Sequence, residues 1–454
     1  MKTKLLYRCG ECGATSLKWA GRCPGCGAWN TLTEEVVQSE KRSASHRSKA
    51  PEITPLKGLS ALEESRITTG ISELDRVLGG GFVKGEVVLL GGEPGVGKST
   101  LLLQAAEKLA SQGHKVLYAS GEESSSQIKM RADRLELPGE NIFLLSTNSA
   151  EEILESLDSQ EYAVLIVDSI QTVAYEGLDT GAGSVVQIRA VASGLIEKAK
   201  TTGLIVVLVG HITKGGELAG PKVLEHLVDA VLYFEGDRFH QGRILRAIKN
   251  RFGASFEVGL FEITGHGLMP VENPFSLWES EERSQETGVA ILPAIEGARP
   301  LLVEIQALVT PSPFMGNPRR IFLGVDRNRG SMLIAVMEKR LGVKFFQDDI
   351  FVKVSGGLSL QDPAIDLAMA AALLSSKTGV RAKNNAVFLG EVSLSGEVRP
   401  PYLLTPRLKE AVKFGFPLIV TAPSPDLILP EGARIDRIKT LAGLRSYFHK
   451  RTEP

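Results

Sequence analysis

The sequence lacks the features of a membrane or exported protein. No apolar run approaches the roughly 20 residues needed to cross a bilayer, and runs such as residues 204–209 have the length of buried strands. Residues 1–7 carry basic side chains but neither the apolar segment nor the small-residue cleavage site of a signal peptide. Cysteine is absent after Cys26, unlike in a secreted protein held by disulfides. These absences predict a cytoplasmic protein without a membrane partner.

The chain also has almost no net charge. Its 52 lysines and arginines balance 53 aspartates and glutamates, which leaves a formal charge of -1. Any affinity for polyanions must therefore come from local basic patches. The 43% of hydrophobic and 23% of charged residues are ordinary for a folded globular protein, and a length of 454 residues predicts two or three domains.

The distribution of cysteines, polar stretches and apolar runs along the chain divides it into four segments. Residues 1–32 hold all four cysteines, and residues 33–62 include a polar stretch with little to bury, which predicts a flexible linker. In residues 63–268 strand-like runs alternate with helical patterns, which predicts a mostly parallel sheet covered by helices on both faces. Residues 269–454 mix strand-like and helix-like runs and predict an α+β domain.

A phosphate-binding pattern, GEPGVGKS, occupies residues 92–99 between a strand-like and a helix-like run. The backbone N–H groups of such a loop surround phosphate oxygens, and the helix N-terminus favours the same anion. Lys98 adds a point charge and Ser99 offers a ligand for Mg²⁺. We therefore predict that MgATP is bound by Gly92, Glu93, Pro94, Gly95, Val96, Gly97, Lys98, Ser99 and Thr100.

Two carboxylates follow predicted buried strands. Asp168 ends the run 163–167 at the carboxyl edge of the sheet, where ligands of open α/β sheets bind, and we expect it to hold Mg²⁺. A helix cap is the alternative role of Asp168. Glu122 follows the run 115–119 and is the candidate that orients the attacking water. The adjacent Glu123 competes for that role, and a surface charge is the alternative for either glutamate.

The motifs around the phosphate loop resemble a RecA-like ATPase core. They are TGI at 69–71, LD at 74–75, GGG at 79–81 and SGEES at 120–124. With the cysteine module before this core, and KNRFG at 249–253 and a Lon-like segment after it, the whole chain resembles the bacterial RadA (Sms) family. The resemblance implies a ring-shaped homohexamer that drives branch migration on single-stranded and branched DNA, with a RecA-type recombinase as partner.

The KNRFG segment lies in a basic run that also contains Arg238, Arg243 and Arg246. Taken alone, this run is more typical of a solvated edge strand that its charges protect from aggregation. The family resemblance implies instead that Lys249 and Arg251 reach the ATP of a neighbouring subunit. Cations placed there stabilise transition-state charge.

His211 follows the run 204–209, and alignment with RecA gives it the place of the polar residue that senses the γ-phosphate. The next loop, 213–222, has glycines that permit movement and two lysines, Lys214 and Lys222, that can contact DNA phosphates. An ordinary surface loop is the alternative. The loop 181–189, which ends at Arg189, is a second and weaker DNA-facing candidate.

Two CxxC pairs, Cys9 with Cys12 and Cys23 with Cys26, lie close together in the sequence. Each pair presents two thiolates in a tight turn, and four thiolates complete a tetrahedral Zn²⁺ site without an open position. So short a module cannot build a sufficient core, and metal binding should supply its folding energy. A disulfide or redox pair is the alternative.

The segment GEVSLSGEVRP at 390–400 resembles the proteolytic domain of Lon and raises a different function, that of an ATP-dependent protease. Lon needs a serine nucleophile and a lysine base. Alignment places Ala364 at the serine and Thr405 at the lysine, so we expect a catalytically inactive scaffold. We expect this scaffold to offer a basic surface formed by Arg319, Arg320, Arg327 and Arg329. The alternative is that these arginines are ordinary solvated charges.

The sequence thus predicts an α/β protein with a RecA-like P-loop ATPase core, preceded by a small zinc ribbon and followed by an α+β Lon-protease-like domain. Its predicted function is that of an ATP-driven DNA motor in recombination and repair, with ATP, Mg²⁺ and Zn²⁺ as cofactors. The alternatives are a KaiC-like regulatory ATPase without DNA and a Lon-type protease.

Overall fold

A computed structural model of the chain describes residues 4–16, 18–37, 66–211, 223–236, 242–271, 286–313, 318–355, 359–381, 386–425 and 427–448. The chain forms two compact units. The first consists of Met1–Glu235, Leu245–Ser255 and Ile263–Met269, and the second of Gly236–Ile244, Phe256–Glu262 and Pro270–Pro454. Within the described part, no helix is both long and apolar enough to cross a membrane.

The cysteine module is a small antiparallel sheet. Its strands are β1 (Lys4–Cys9), β2 (Thr15–Ser16) and β3 (Leu32–Val37), in the order β2-β1-β3. Cys9, Cys23 and Leu32 form its small buried cluster. Because β3 pairs with β1 along its length, the fold continues past residue 32, where we expected the linker to begin. The rest of the predicted linker lies outside the described residues.

Most of a nine-stranded sheet, whose strand order is β14-β13-β12-β11-β6-β10-β9-β7-β8, belongs to the first unit. Its strands are β6 (Val87–Gly92), β7 (Val116–Ser120), β8 (Ile142–Ser146), β9 (Val164–Asp168), β10 (Ile205–His211), β11 (Ala230–Gly236), β12 (Gly242–Asn250), β13 (Val258–Thr264) and β14 (Gly267–Pro270), and the separate pair is β4 (Arg66–Ile67) with β5 (Phe82–Val83). The helices are α1 (Ser72–Leu78), α2 (Lys98–Ser111), α3 (Ser125–Arg134), α4 (Ala150–Ser159), α5 (Val185–Thr202) and α6 (Val223–Leu227).

Strands β11, β6, β10, β9, β7 and β8 are parallel, which confirms the predicted parallel sheet. Parallel strands that are buried on both faces read as continuous apolar runs, and every residue of β6, β7 and β9 is buried. The register places His211 opposite Gly92, and Ser120 opposite Asp168. The carboxyl ends of these four strands therefore lie at one edge of the sheet.

The second unit contains a seven-stranded mixed sheet in the order β17-β18-β16-β15-β19-β22-β23. Its strands are β15 (Val289–Glu296), β16 (Arg299–Pro311), β17 (Arg320–Leu323), β18 (Asp348–Val354), β19 (Ala386–Phe388), β22 (Leu418–Thr421) and β23 (Arg434–Arg437), with the separate pair β20 (Glu391–Val392) and β21 (Val398–Arg399). Helices α7 (Arg327–Leu341), α8 (Ile365–Thr378) and α9 (Leu404–Lys413) complete it, and α8 is buried from Ile365 to Ser375. This confirms the predicted α+β architecture.

The position aligned with the Lon serine is part of the packed core. Ala364 is fully buried at the start of α8, and its backbone N–H donates to Asp362 Oδ1 at 3.0 Å. Asp362 also accepts from the guanidinium of Arg407, which is only 2% exposed. Arg407 donates in addition to the carbonyl oxygen of Pro293 at 2.9 Å. A buried ion pair thus orders this corner of the unit without any nucleophile at residue 364.

The arginines considered as a basic surface differ in their surroundings. Arg320 donates to the carbonyl oxygens of Phe345 and Asp348, and Arg329 pairs with the buried Asp366 at 2.8 Å. Arg319 and Arg327 are exposed. The charge of Arg329 is therefore compensated internally, whereas Arg319 and Arg327 lie at the surface.

Replacement of Arg407 by alanine should strongly destabilise the second unit, because it leaves the carboxylate of Asp362 buried without its counter-ion. We expect a loss of about 3–5 kcal/mol in the free energy of unfolding, measured by denaturant titration. The matched control is Arg399→Ala, since Arg399 forms an exposed pair with Glu397 and should contribute about 0–1 kcal/mol. Equal losses for the two variants would contradict a structural role of the buried pair.

Candidate functional site

The phosphate-binding loop connects the end of β6 with the start of α2. Gly92 lies so close to β11 that an added Cβ would come within 2.5 Å of the carbonyl oxygen of Phe234, and Gly97 has φ 115 at the helix N-cap. Both positions require glycine. Ser99 and Thr100 lie in the first turn of α2, at the positive end of the helix dipole, which favours an anion such as phosphate.

The Lys98 side chain folds back across this loop. It is 4% exposed, and its Nζ donates to the carbonyl oxygens of Gly92 at 2.8 Å and Glu93 at 3.1 Å. Burial lowers the pKa of Lys98, and the negative charges of Asp168 and Glu122 oppose that shift. The cation is thus held beside two carboxylates at the place where phosphate charge is expected.

Asp168 ends β9 and is 6% exposed. The hydroxyl of Tyr118, which belongs to the neighbouring strand β7, donates to its Oδ2 at 2.7 Å. Burial and the adjacent carboxylate raise the pKa of Tyr118 well above its ordinary value, so the phenol remains a donor. Tyr118 thereby orients the side chain of Asp168, which together with Ser99 could offer oxygen ligands of the kind that suits Mg²⁺.

Glu122, His211 and Lys98 form a continuous hydrogen-bonded chain. Nζ of Lys98 lies 3.3 Å from Nδ1 of His211, and Nε2 of His211 lies 2.8 Å from Oε1 of Glu122. A lysine ammonium can only donate, so Nδ1 is the acceptor and Nε2 carries the proton that is donated to Glu122. The loop lysine and the candidate base are therefore connected through the residue predicted to sense the γ-phosphate.

Glu122 is kept ionised by its neighbours. Burial favours its neutral form, but hydrogen bonds from Ser169 and His211 and the positive charge of Lys98 outweigh burial and lower the pKa of Glu122. Ser169, which sequence reasoning missed, directly follows Asp168 and donates from Oγ to Glu122. Its position next to the strand-ending aspartate was the available signal.

Glu123 points to a different partner. Its carboxylate forms an ion pair with Arg131 of α3, and its backbone N–H donates to Ser120 Oγ at 3.0 Å. Of the two adjacent glutamates, Glu122 is thus the one connected to Lys98 through His211, whereas Glu123 pairs with Arg131 near the C-terminal end of α3.

Lys249 and Arg251 lie at the opposite end of β6 from the phosphate loop. Arg251 donates to the buried Asp229 at 3.2 Å, and Asp229 accepts from the N–H of Val87, the first residue of β6. The strand runs six residues from Val87 to Gly92, a distance of about 17 Å at the usual rise of a β-strand. Neither cation is therefore placed at the phosphate loop of its own chain.

The remaining residues of the KNRFG segment hold it against the glycine motif at 79–81. Asn250 donates to the carbonyl oxygen of Val77 at 3.2 Å, and Arg66 donates to that of Phe252. An added Cβ on Gly79 would come within 3.0 Å of Cα of Gly253. Two motifs that are far apart in sequence thus form one packed element.

Arg189 is exposed in the first turns of α5, as a DNA-contacting residue would be. Gln187, also missed from the sequence, is 1% exposed and orders the preceding loop through donation to the carbonyl oxygens of Tyr175 and Thr180, each at 2.9 Å. Lys214 and Lys222 lie outside the described residues.

The four cysteines converge as a metal centre requires. Their Sγ atoms all lie within 4.8 Å of one another, with Cys9 and Cys26 at 3.7 Å and Cys12 and Cys23 at 3.5 Å. Tetrahedral Zn²⁺ with Zn–S bonds of about 2.3 Å separates its sulfurs by about 3.8 Å. The hydroxyl of Thr31, 3.1 Å from Cys9 Sγ, lowers the pKa of this thiol to about 6 and so favours the thiolate that zinc needs.

The purified protein should contain about one zinc per chain, held by four thiolates. In Cys9→Ala, zinc content measured by elemental analysis should fall at least about tenfold, because a three-thiolate site loses its closed geometry. ATP hydrolysis without other ligands should persist, since the hydrogen-bonded chain of Lys98, His211 and Glu122 includes no residue of the zinc module. A full zinc content in Cys9→Ala would contradict the assignment of Cys9 as a ligand.

Family models match three segments of the chain. Residues 7–34 match a rubredoxin metal binding domain, residues 52–217 an AAA domain, and residues 328–424 the ChlI subunit of Mg-chelatase. With the clustered cysteines and the phosphate loop, these matches establish Zn²⁺, ATP and Mg²⁺ as the cofactors.

Relatives match nearly the whole chain. DNA repair protein RadA of Bacillus subtilis is 46% identical over 91% of this chain and 92% of its own length, and that of Brucella abortus is 46% identical over 91% of each chain. The Pseudomonas aeruginosa protein of the same name is 47% identical over 91% of this chain and 92% of its own. The crystal structure of a KaiC-like protein from Pyrococcus horikoshii covers 46% of this chain at 23% identity, with a TM-score of 0.39. On the extent and identity of the first three matches, this chain belongs to the DNA repair protein RadA family.

Proposed function

We propose that this ATPase of the DNA repair and recombination class works as a DNA-stimulated motor that promotes branch migration of recombination intermediates. Its partners would be single-stranded and branched DNA and a RecA-type recombinase, and its working form a homohexamer. It would act in the cytoplasm, where thiols are kept reduced and available for zinc. The observation that carries the proposal is the hydrogen-bonded chain from Lys98 through His211 to Glu122.

This chain suits hydrolysis that depends on nucleotide state. Lys98, Ser99 and Asp168 would hold MgATP, in which the metal neutralises developing phosphate charge. Glu122, kept ionised, would orient the attacking water and accept its proton. Because Lys98 contacts His211, the arrival of the γ-phosphate at Lys98 competes for the same ammonium hydrogens and would change the position of His211.

Completion of the site would need a second subunit. The position of Arg251 at the far end of β6 supports a role toward a neighbour's nucleotide, and its side chain is 56% exposed. A closed ring gives every nucleotide such a neighbour. Movement on DNA would follow if exposed basic residues such as Arg189 meet the phosphates of the strand.

Glu122→Gln should reduce kcat for ATP hydrolysis by about 10²–10⁴-fold, because the neutral amide cannot accept a proton from water. Nucleotide affinity, measured by titration of a fluorescent ATP analogue, should change little, since Lys98 and the loop remain. The matched control Glu123→Gln removes one negative charge from the adjacent residue and should keep kcat within about threefold. A larger loss in Glu123→Gln than in Glu122→Gln would exchange their assigned roles.

The motor function is tested by ATP hydrolysis with and without single-stranded DNA, and by extension of a preformed branched recombination intermediate. We expect DNA to raise the hydrolysis rate about tenfold or more and branch extension to require ATP. Lys98→Ala, which lacks the phosphate-binding cation, should show neither DNA-stimulated ATP hydrolysis nor branch extension. Equal hydrolysis rates with and without DNA, together with no DNA binding at low salt, would exclude the motor and favour a KaiC-like regulator.

A further inference from the structure

Asp229 is a buried carboxylate with three different partners. It is 4% exposed, and its oxygens accept from the backbone N–H of Val87 at 3.0 Å, from Lys200 Nζ at 2.7 Å and from Arg251 Nη1 at 3.2 Å. Lys200 belongs to α5 and Arg251 to the KNRFG segment. One carboxylate thus links β6, which leads into the phosphate loop, to helix α5 and to the exposed Arg251.

The two cations on Asp229 are held differently. Lys200 also donates to the carbonyl oxygen of Gly85 at 2.9 Å, which fixes it beside the carboxylate. The Arg251 side chain is 56% exposed, although its backbone N–H is bound to the carbonyl oxygen of Asp229 at 3.1 Å. A buried carboxylate stripped of all counter-charge is strongly disfavoured. Because Lys200 remains, Asp229 would stay compensated if the Arg251 guanidinium moved away.

The backbone around Arg251 is held while its side chain extends to solvent. Arg66 donates to the carbonyl oxygen of the next residue, Phe252, and Lys200 Nζ lies 5.9 Å from the centre of the Phe252 ring. Movement of Arg251 therefore requires only rotations of its own side chain.

Lys249 is bound in another way. Its ammonium donates to the carbonyl oxygens of Glu225 at 2.8 Å and Val228 at 2.7 Å, around the C-terminal end of α6. Burial and the nearby charge of Arg251 lower its pKa, against the opposing charges of Asp229 and Glu225. Lys249 would have to give up two short hydrogen bonds to reach another subunit, whereas Arg251 would give up one long one.

We propose that Asp229 is a positioning residue that holds Arg251 ready for a neighbouring subunit's nucleotide, and that Lys200 is the resident counter-cation that permits Arg251 to leave. This inference rests on the proposed action of Arg251 across subunits. Asp229 and Lys200 lie at the end of β6 away from the phosphate loop of their own chain. Without Asp229 the guanidinium samples many directions. Without Lys200, Arg251 is the one of these two cations left to neutralise the buried carboxylate, which then retains it.

The test is rescue of ATP hydrolysis in mixed rings. Lys98→Ala and Arg251→Ala, each with low activity alone, should regain activity when mixed, because intact loops of Arg251→Ala subunits meet intact arginines of Lys98→Ala subunits. Absence of rescue with this unmodified pair would remove the action of Arg251 across subunits, and with it the basis of the inference.

Asp229→Asn is then added to one partner at a time. In the arginine donor, Lys98→Ala, it should reduce the rescued kcat about tenfold and change KM for ATP less than about twofold, since misplacement of a transition-state group lowers kcat alone. In the loop donor, Arg251→Ala, the same change should cost clearly less. Rescue with equal losses in both partners, or with no loss in either, would overturn the role of Asp229.

Lys200 variants test the counter-cation in the same arginine donor and do not depend on the folding of Asp229→Asn. Lys200→Met should lower the rescued kcat about tenfold, and Lys200→Arg, which keeps the charge, should restore it to within about twofold. The matched control is Lys198→Met on the same helix, since Lys198 pairs with the exposed Asp158. Equal effects of Lys198→Met and Lys200→Met, or equal effects of Lys200→Arg and Lys200→Met, would contradict the proposal.

Discussion

The parallel pairing of β6 with β10 and β11 is the constraint on which the nucleotide site depends. It fixes Gly92 opposite His211. The phosphate loop and His211, which links Lys98 to Glu122, are therefore held at fixed positions relative to each other. A slip of one residue would turn every side chain of this buried strand to the opposite face. The other end of β6 is bound by Asp229. One buried strand thus carries the phosphate loop at one end and the support of Arg251 at the other.

Buried charges recur at each place where the fold must hold a polar group in one orientation. Asp168 is oriented by Tyr118, Asp229 is compensated by Lys200, and Asp362 is paired with Arg407. Such pairs stabilise little compared with apolar packing, but their disruption leaves an uncompensated charge. Their value here is geometric, because each determines the direction of a functional or structural side chain.

The second unit carries no nucleophile at the position aligned with the Lon serine. That position, residue 364, is a buried alanine at the start of α8, beside the Asp362–Arg407 pair. An acyl-enzyme cannot form on a methyl group, so no route through residue 364 exists for proteolysis.

The sequence by itself determined the phosphate loop, the cysteine cluster and the parallel sheet, because each depends on local spacing: glycines around Lys98, two CxxC pairs, and continuous apolar runs. Family resemblance singled out the KNRFG segment. Only the tertiary structure distinguished Glu122 from Glu123, and only it brought Asp229, Arg66 and Ser169 into the argument. Asp229 stands as a lone charge among apolar residues, which signals a buried partner but cannot name it. The physical reason is that these side chains are paired across strands that are neighbours in the sheet. The order of the strands in a sheet cannot be predicted from local sequence.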